Sequence, residues 1–393
     1  MPRVPHPVPQ VARIPGAIYS PFDDVGLPGS NHAFPLHVGD TWLTPFEGAR
    51  MEDLRAADYP ELNRYTDTRG IPELVDAVVE KVRARNCLAC ERESVLVTGG
   101  ATAGLAAAIG ALVAPGEEVL LLAPFWPLIR GIVRTFRAWP VELPFYDRVD
   151  GPEAAVEAVR ERITPRTVAL YISTPSNPTG RVMSESWLSA IAEFARDEGL
   201  WIISDEVYED LIYRGKHVSI ARFAPESTVT AFSFSKAFGM AGNRTGYLTG
   251  PSEVVSQIRK VSTHTVYCAP AAGQVAGLRA LRNGESWLEK ARSLYREAGE
   301  DAAGVLGLPP PEGSTFLFLN VESSLDERGM EGLLQDCYEE GVLVAPGASG
   351  GEAYRNWIRL CYTACSPKET AEAVRRLARR VATPAETSRP QSA

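Results

Sequence analysis

The 393-residue sequence lacks a continuous apolar run of about eighteen residues, the length a membrane-crossing helix takes, so no membrane partner is expected. Its start is proline-rich (Pro2, Pro5, Pro7, Pro9, Pro15) and has no apolar core of the kind a secretory signal needs. The expected compartment is therefore the cytoplasm. Excess positive charge is also missing. A net charge of −9 argues against non-specific binding to nucleic acid or to an anionic membrane. Cysteine is sparse, and six in a chain this long form no disulfide framework. Cys87 and Cys90 make a C-x-x-C, but Cys361 and Cys365 are spaced C-x-x-x-C and do not match it. They read as ordinary thiols. The five histidines (His6, His32, His37, His217, His264) make no metal-binding spacing, and no metal is expected. No internal repeat or low-complexity segment is present.

What remains is the composition of a globular protein, 45% apolar and 23% charged. The length exceeds what one core usually serves, so two domains are expected. Residues 1–48 read as an irregular arm joined to the smaller domain, with Ile14, Ile18, Tyr19 and Phe22 as apolar anchors. Residues 49–285 alternate short apolar strands with helices. Strands are expected at 95–97, 119–122, 141–143, 168–172, 200–203, 228–231 and 246–249. Continuous apolar strands separated by helices imply an α/β fold, with a mostly parallel seven-stranded-type sheet between helices. Residues 286–382 change texture, with strands expected at 315–320, 342–344 and 357–360, and read as a smaller α+β domain. Residues 383–393 are polar and read as a disordered tail.

One stretch holds chemistry of its own: Ser233-Phe-Ser-Lys-Ala-Phe-Gly-Met-Ala-Gly-Asn-Arg-Thr-Gly246. Lys236 has hydroxyls, aromatics and glycines for neighbours and no acid. That setting suits a desolvated amine with a lowered pKa. Ser233, Ser235 and Arg244 offer hydroxyls and a planar fork to a phosphate. Thr98-Gly-Gly-Ala-Thr102 joins a strand to a helix start, a second place for an anion. Thr98, Trp126, Asn177, Asp205 and Lys236 all fall just after strand ends, where ligands gather in such sheets.

Together these residues resemble the fold type I pyridoxal-phosphate enzymes, in particular the class I/II aminotransferases related to aspartate aminotransferase. The resemblance runs from about Leu36 to Arg380. It implies pyridoxal 5′-phosphate as cofactor and transfer of an amino group from an L-amino acid to a 2-oxo acid. By that resemblance Lys236 holds the cofactor aldehyde as a Schiff base and then serves as the base at the substrate's Cα. Ser233, Ser235, Arg244 and the turn Gly100-Ala101-Thr102 would bind the phosphate. Asp205 would keep the pyridine nitrogen protonated. Asn177 and Tyr208 would bond the phenolic oxygen, and Trp126 would stack on the ring. Arg359 and the backbone at Gly39 would take the α-carboxylate. Tyr65 would reach the phosphate of a neighbouring subunit, which implies a homodimer with shared sites. Trp42, His264 and Tyr267 are the expected selectors of the side chain. Asn243 departs from the apolar or aromatic residue usual before the arginine. The same lysine, aspartate and arginine would equally serve a β-eliminating lyase or an aminocyclopropane-carboxylate synthase relative.

Overall fold

The computed structural model describes residues 8–15 and 33–381. The expected anchors Ile18, Tyr19 and Phe22 and the tail 383–393 lie outside the described residues.

Seven strands form the large sheet: β1 Val95–Thr98, β2 Glu118–Ala123, β3 Trp139–Pro144, β4 Thr167–Ser173, β5 Trp201–Asp205, β6 Thr228–Ser233 and β7 Gly246–Thr249. Their spatial order is β1-β7-β6-β5-β4-β2-β3. Neighbours from β3 through β6 pair in parallel, and only β7 runs against the rest. β2 and β5 carry apolar side chains on both faces, because helices cover the sheet on both sides. α1 Pro72–Arg85 precedes β1, and one side of the sheet packs Leu96, Leu121, Ile203 and Leu248 with the helices α2 Gly100–Leu112 and α3 Pro127–Thr135. The other packs Leu120, Leu122, Leu170 and Ile202 with α4 Pro152–Arg162 and α5 Glu185–Asp197. α2 carries a glycine at its contact with β7 for a steric reason. A Cβ on Gly104 would sit 3.0 Å from Leu248, so the helix comes close to β7 only with a small residue there.

A second, three-stranded sheet has β8 Phe316–Asn320 and β9 Ala345–Pro346 flanking β10 Trp357–Cys361, all antiparallel. It packs on two long helices that approach each other, Glu285–Val305 and Pro367–Ala378. The arm joins this sheet: Phe34 bridges Val342, and the Cys361 N–H donates to the Leu36 carbonyl at 2.7 Å. The strand expected at 342–344 is displaced for the same reason. The Leu343 N–H turns to the Phe34 carbonyl, and regular pairing with β10 begins only at Ala345. Around Leu36 the arm is a set of turns, with the Phe34 bridge just before them.

No described helix is long and apolar enough to cross a membrane. All six cysteines are free, and burial pushes the Cys90 thiol up to about 11, the reverse of a reactive thiol.

Candidate active site

The parallel strands β2, β4, β5 and β6 end on the same edge of the sheet, and one cavity opens there. Gly39, Ala101, Thr102, Trp126, Asn177, Asp205, Tyr208, Ser233, Ser235, Lys236, Arg244 and Arg359, all anticipated from sequence, line it.

β6 delivers the lysine. After Ser233 the chain turns into a single helical turn, α6 Phe234–Ala237, with the Ser233 Oγ accepting the Ser235 N–H at 3.1 Å. Phe234 and Ala237 anchor this turn in the core and leave Lys236 on the cavity side. Lys236 is half-buried, and desolvation lowers its amine pKa, with Arg359 and Arg244 adding repulsion. Its Nζ donates to the Gly39 carbonyl at 2.5 Å.

Arg244 has a left-handed backbone (φ 49°), which folds its guanidinium back to the Ala241 carbonyl at 2.9 Å. It lies against the start of α2. Gly100 has φ +79°, and a Cβ there would fall 2.7 Å from Arg244 Nη2. A guanidinium, two serine hydroxyls and the free N–H groups at a helix start thus surround one end of the cavity. This donor set suits a phosphate. Gly100→Ala is expected to weaken cofactor binding at least ten-fold, about the worth of one charge-assisted contact. It should also destabilise the chain by about 1–3 kcal/mol through the strained turn. Titration of stripped protein with pyridoxal phosphate, beside a melting curve, checks both.

β5 ends at Asp205, whose carboxylate is buried at the floor. Burial pushes its pKa up to about 6, against the pull of hydrogen bonds from Tyr171 and the Val207 N–H. The next carboxylates turn away from the cavity. Glu206 accepts from Ser204 and Ser219, both at 2.8 Å, and pairs with His217 at 2.9 Å. Glu209 is held by Lys81 and Asn86. Glu206, Glu209 and His217 have the spacing of a metal cluster. Their carboxylate oxygens are nevertheless each taken by a protein partner.

Arg359 enters from β10. Its Nη1 donates to Asn177 Oδ1 at 3.1 Å, its Nη2 donates to the His37 carbonyl at 2.6 Å, and it lies over the Phe316 ring at 4.5 Å. Phe316 was not singled out from sequence. It reads there as one apolar residue in an apolar strand, yet it touches Gly39, stacks edge-on with Tyr208 and lies under Arg359. Val38 and Leu128 join it as apolar lining.

Five expected residues lie outside the lining: Gly100, which backs the Arg244 guanidinium, and Trp42, Tyr65, His264 and Tyr267. Trp42 packs edge-on against Tyr295, 5.3 Å between centroids, because the turn at Asp40–Thr41 directs it into the core. Tyr65 is 82% exposed and meets Tyr267 edge-on at 4.8 Å. His264 sits near the end of the helix Ser252–Thr265, its Nδ1 on the Lys260 carbonyl.

The set fits pyridoxal phosphate: a phosphate cup, a neutral-leaning amine, a buried carboxylate and a guanidinium, all around one space.

Comparison with known proteins agrees. Residues 33–377 match the family described as aminotransferase class I and II. The aspartate/prephenate aminotransferase of Thermus thermophilus is 37% identical over 329 residues, 80% of this chain and 83% of that protein. An aspartate aminotransferase of Pyrococcus horikoshii is 32% identical over 80% of this chain and 82% of its own length. Among solved structures, a tetra mutant of the Thermus thermophilus aspartate aminotransferase complexed with tryptophan superposes with a TM-score of 0.85. It is 31% identical and covers 96% of this chain and all of its own.

Proposed function

The chain belongs to the class I and II aminotransferases, and from that membership we propose how its own residues carry the reaction. Its cofactor is pyridoxal 5′-phosphate, and its substrates are an amino acid and a 2-oxo acid. When bound, the cofactor supplies an aldehyde that takes up the amino group and a ring that accepts the electron pair left at Cα.

Lys236 Nζ would hold the cofactor covalently, and as a free neutral amine it would move the proton at the substrate's Cα. Its pKa is lowered, by desolvation first, which favours the neutral amine that role needs. Arg244, Ser233, Ser235 and the turn Gly100–Thr102 bind the phosphate. Asp205 would hold the ring nitrogen's proton, Asn177 and Tyr208 would orient the phenolic oxygen, and Trp126 would cover the ring. Arg359, already braced by Asn177 and the His37 carbonyl, grips the α-carboxylate beside the Gly39 backbone. The observation that carries this reading is that Lys236, Asp205, Arg244 and Arg359 converge on one cavity from three separate parts of the chain.

The apolar lining of Val38, Leu128 and Phe316 supports an amino donor with an uncharged side chain. The exposed pair Tyr65 and Tyr267 supports a homodimer in which Tyr65 serves the neighbouring subunit's site. Residues 49–285 form the cofactor-binding domain, and 286–382 with the arm form the smaller one.

A half-reaction screen tests the substrate reading. Single amino acids are mixed with the holoenzyme without a 2-oxo acid, and loss of the visible cofactor band is followed. Neutral donors should bleach the band faster than aspartate at equal concentration. Faster bleaching by aspartate contradicts the side-chain assignment, and release of ammonia with no acceptor contradicts transfer itself.

A further inference from the structure

Beneath the cavity lies a phenol that the reading above does not use. Tyr171 is fully buried in β4, and its hydroxyl donates to Asp205 Oδ2 at 2.7 Å. We propose that Tyr171 is a positioning residue for the cofactor ring. Its hydroxyl fixes one oxygen of Asp205 and keeps the carboxylate ionised, so that the other oxygen is presented to the ring nitrogen. The inference rests on the role given to Asp205 above.

The backbone explains the contact. β4 and β5 are parallel neighbours, and Ser173 is opposite Asp205 in their register. Tyr171 precedes Ser173 by two residues and so projects from the same face of the sheet. Its long side chain reaches along that face to the carboxylate. The two oxygens are then unequal. Oδ2 takes the short phenol bond, while Oδ1 has a 3.4 Å contact from the Val207 N–H. A carboxylate oxygen can accept more than one donor, so Oδ1 keeps capacity for a further N–H.

The titratable groups around Asp205 come from every packed element. They are Tyr171 on β4, Tyr146 after β3, Glu206 and Tyr208 after β5, and Lys236 on α6. Glu206 spends both oxygens on Ser204, Ser219 and His217. The Tyr146 hydroxyl donates to the Ser173 carbonyl at 2.7 Å and accepts its N–H at 3.1 Å. Among the described residues, Tyr171 is the side chain that hydrogen-bonds Asp205 directly. Burial drives the phenol's pKa well above its usual 10, and the nearby Asp205 carboxylate adds to this, so it remains a donor throughout the working range. Burial pushes Asp205 toward its neutral form, and the Tyr171 bond opposes that push.

The test is cofactor binding against pH with Tyr171→Phe, which keeps the ring and removes the hydroxyl. Stripped protein is titrated with pyridoxal phosphate from pH 5 to 8. The wild type should lose affinity on an acid limb as Asp205 is protonated. In Tyr171→Phe the limb should move up by about one pH unit, so binding falls roughly five-fold near pH 6 and roughly ten-fold near pH 5, while binding at pH 8 is close to wild type. Tyr146→Phe, an equally buried phenol held by backbone, is the control for loss of packing and should leave the limb in place. Should Tyr171→Phe melt too early to assay, 3-fluorotyrosine at position 171 keeps the shape, makes the hydroxyl a stronger donor and should move the limb down. A limb unmoved by either change overturns the proposal. So does an equal loss at every pH in both phenylalanine variants, which marks a purely structural role. If Asp205→Asn binds as wild type does at every pH, the role of Asp205 fails first and takes this inference with it.

Discussion

Replacing Lys236 with Ala should lower turnover by at least about 10⁴-fold and abolish the visible absorbance of the holoenzyme. The size follows from what the side chain does. It is both the covalent attachment and the base at Cα, and a positioned base alone contributes about 10²–10⁴-fold. The protein around it should survive. Lys236 makes one hydrogen bond, to the Gly39 carbonyl, and the turn that carries it is anchored by Phe234 and Ala237. The alanine variant should therefore still bind pyridoxal phosphate through Arg244, Ser233 and Ser235, without the band of the covalent form. Absorbance spectra and steady-state rates on the same preparation measure both. A variant that keeps the band and the rate would place the attachment elsewhere.

Asp205→Asn carries the second large effect. Asparagine keeps the shape and can still accept the Tyr171 hydroxyl, so packing is retained. It cannot hold a proton on the ring nitrogen by charge, and kcat should fall about 10³-fold, the upper range for losing one preorganised electrostatic contact. The variant should also change the pH dependence of stability in the cofactor-free protein. Burial raises the Asp205 pKa from 3.8 to about 6, so between those values the folded chain binds a proton that the unfolded chain has released. Stability from this group therefore declines as pH rises through that window, and Asp205→Asn should remove the decline. Denaturant melts of stripped protein at pH 4 and pH 6.5 read the difference. An asparagine variant with wild-type kcat would show that the ring needs no charge from this side.

The division between what could be read and what could not has a physical basis. Trp126, Asn177, Asp205 and Lys236 were legible because a parallel sheet gathers its strand ends on one edge, and apolar runs mark where strands end. The glycine turn was legible because Gly100 and Arg244 each sit in a short, unusual sequence. Tyr171 was not. In sequence it is one more apolar residue in a buried strand, and its partner lies 34 positions away on a neighbour whose register only pairing reveals. Phe316 escaped for a related reason: it reaches the cavity because the smaller sheet is set against the larger one. Trp42 shows the opposite error. Nearness in sequence to Gly39 suggested a wall of the cavity, but two residues of turn rotate the indole into the core against Tyr295.

The most direct test of the central claim is chemical trapping. The holoenzyme is reduced with borohydride, digested, and the peptides are mapped by mass. The account predicts one phosphopyridoxyl group per chain, on the peptide that carries Lys236. A label on any other lysine, or no label on a protein that shows the visible band, would contradict it.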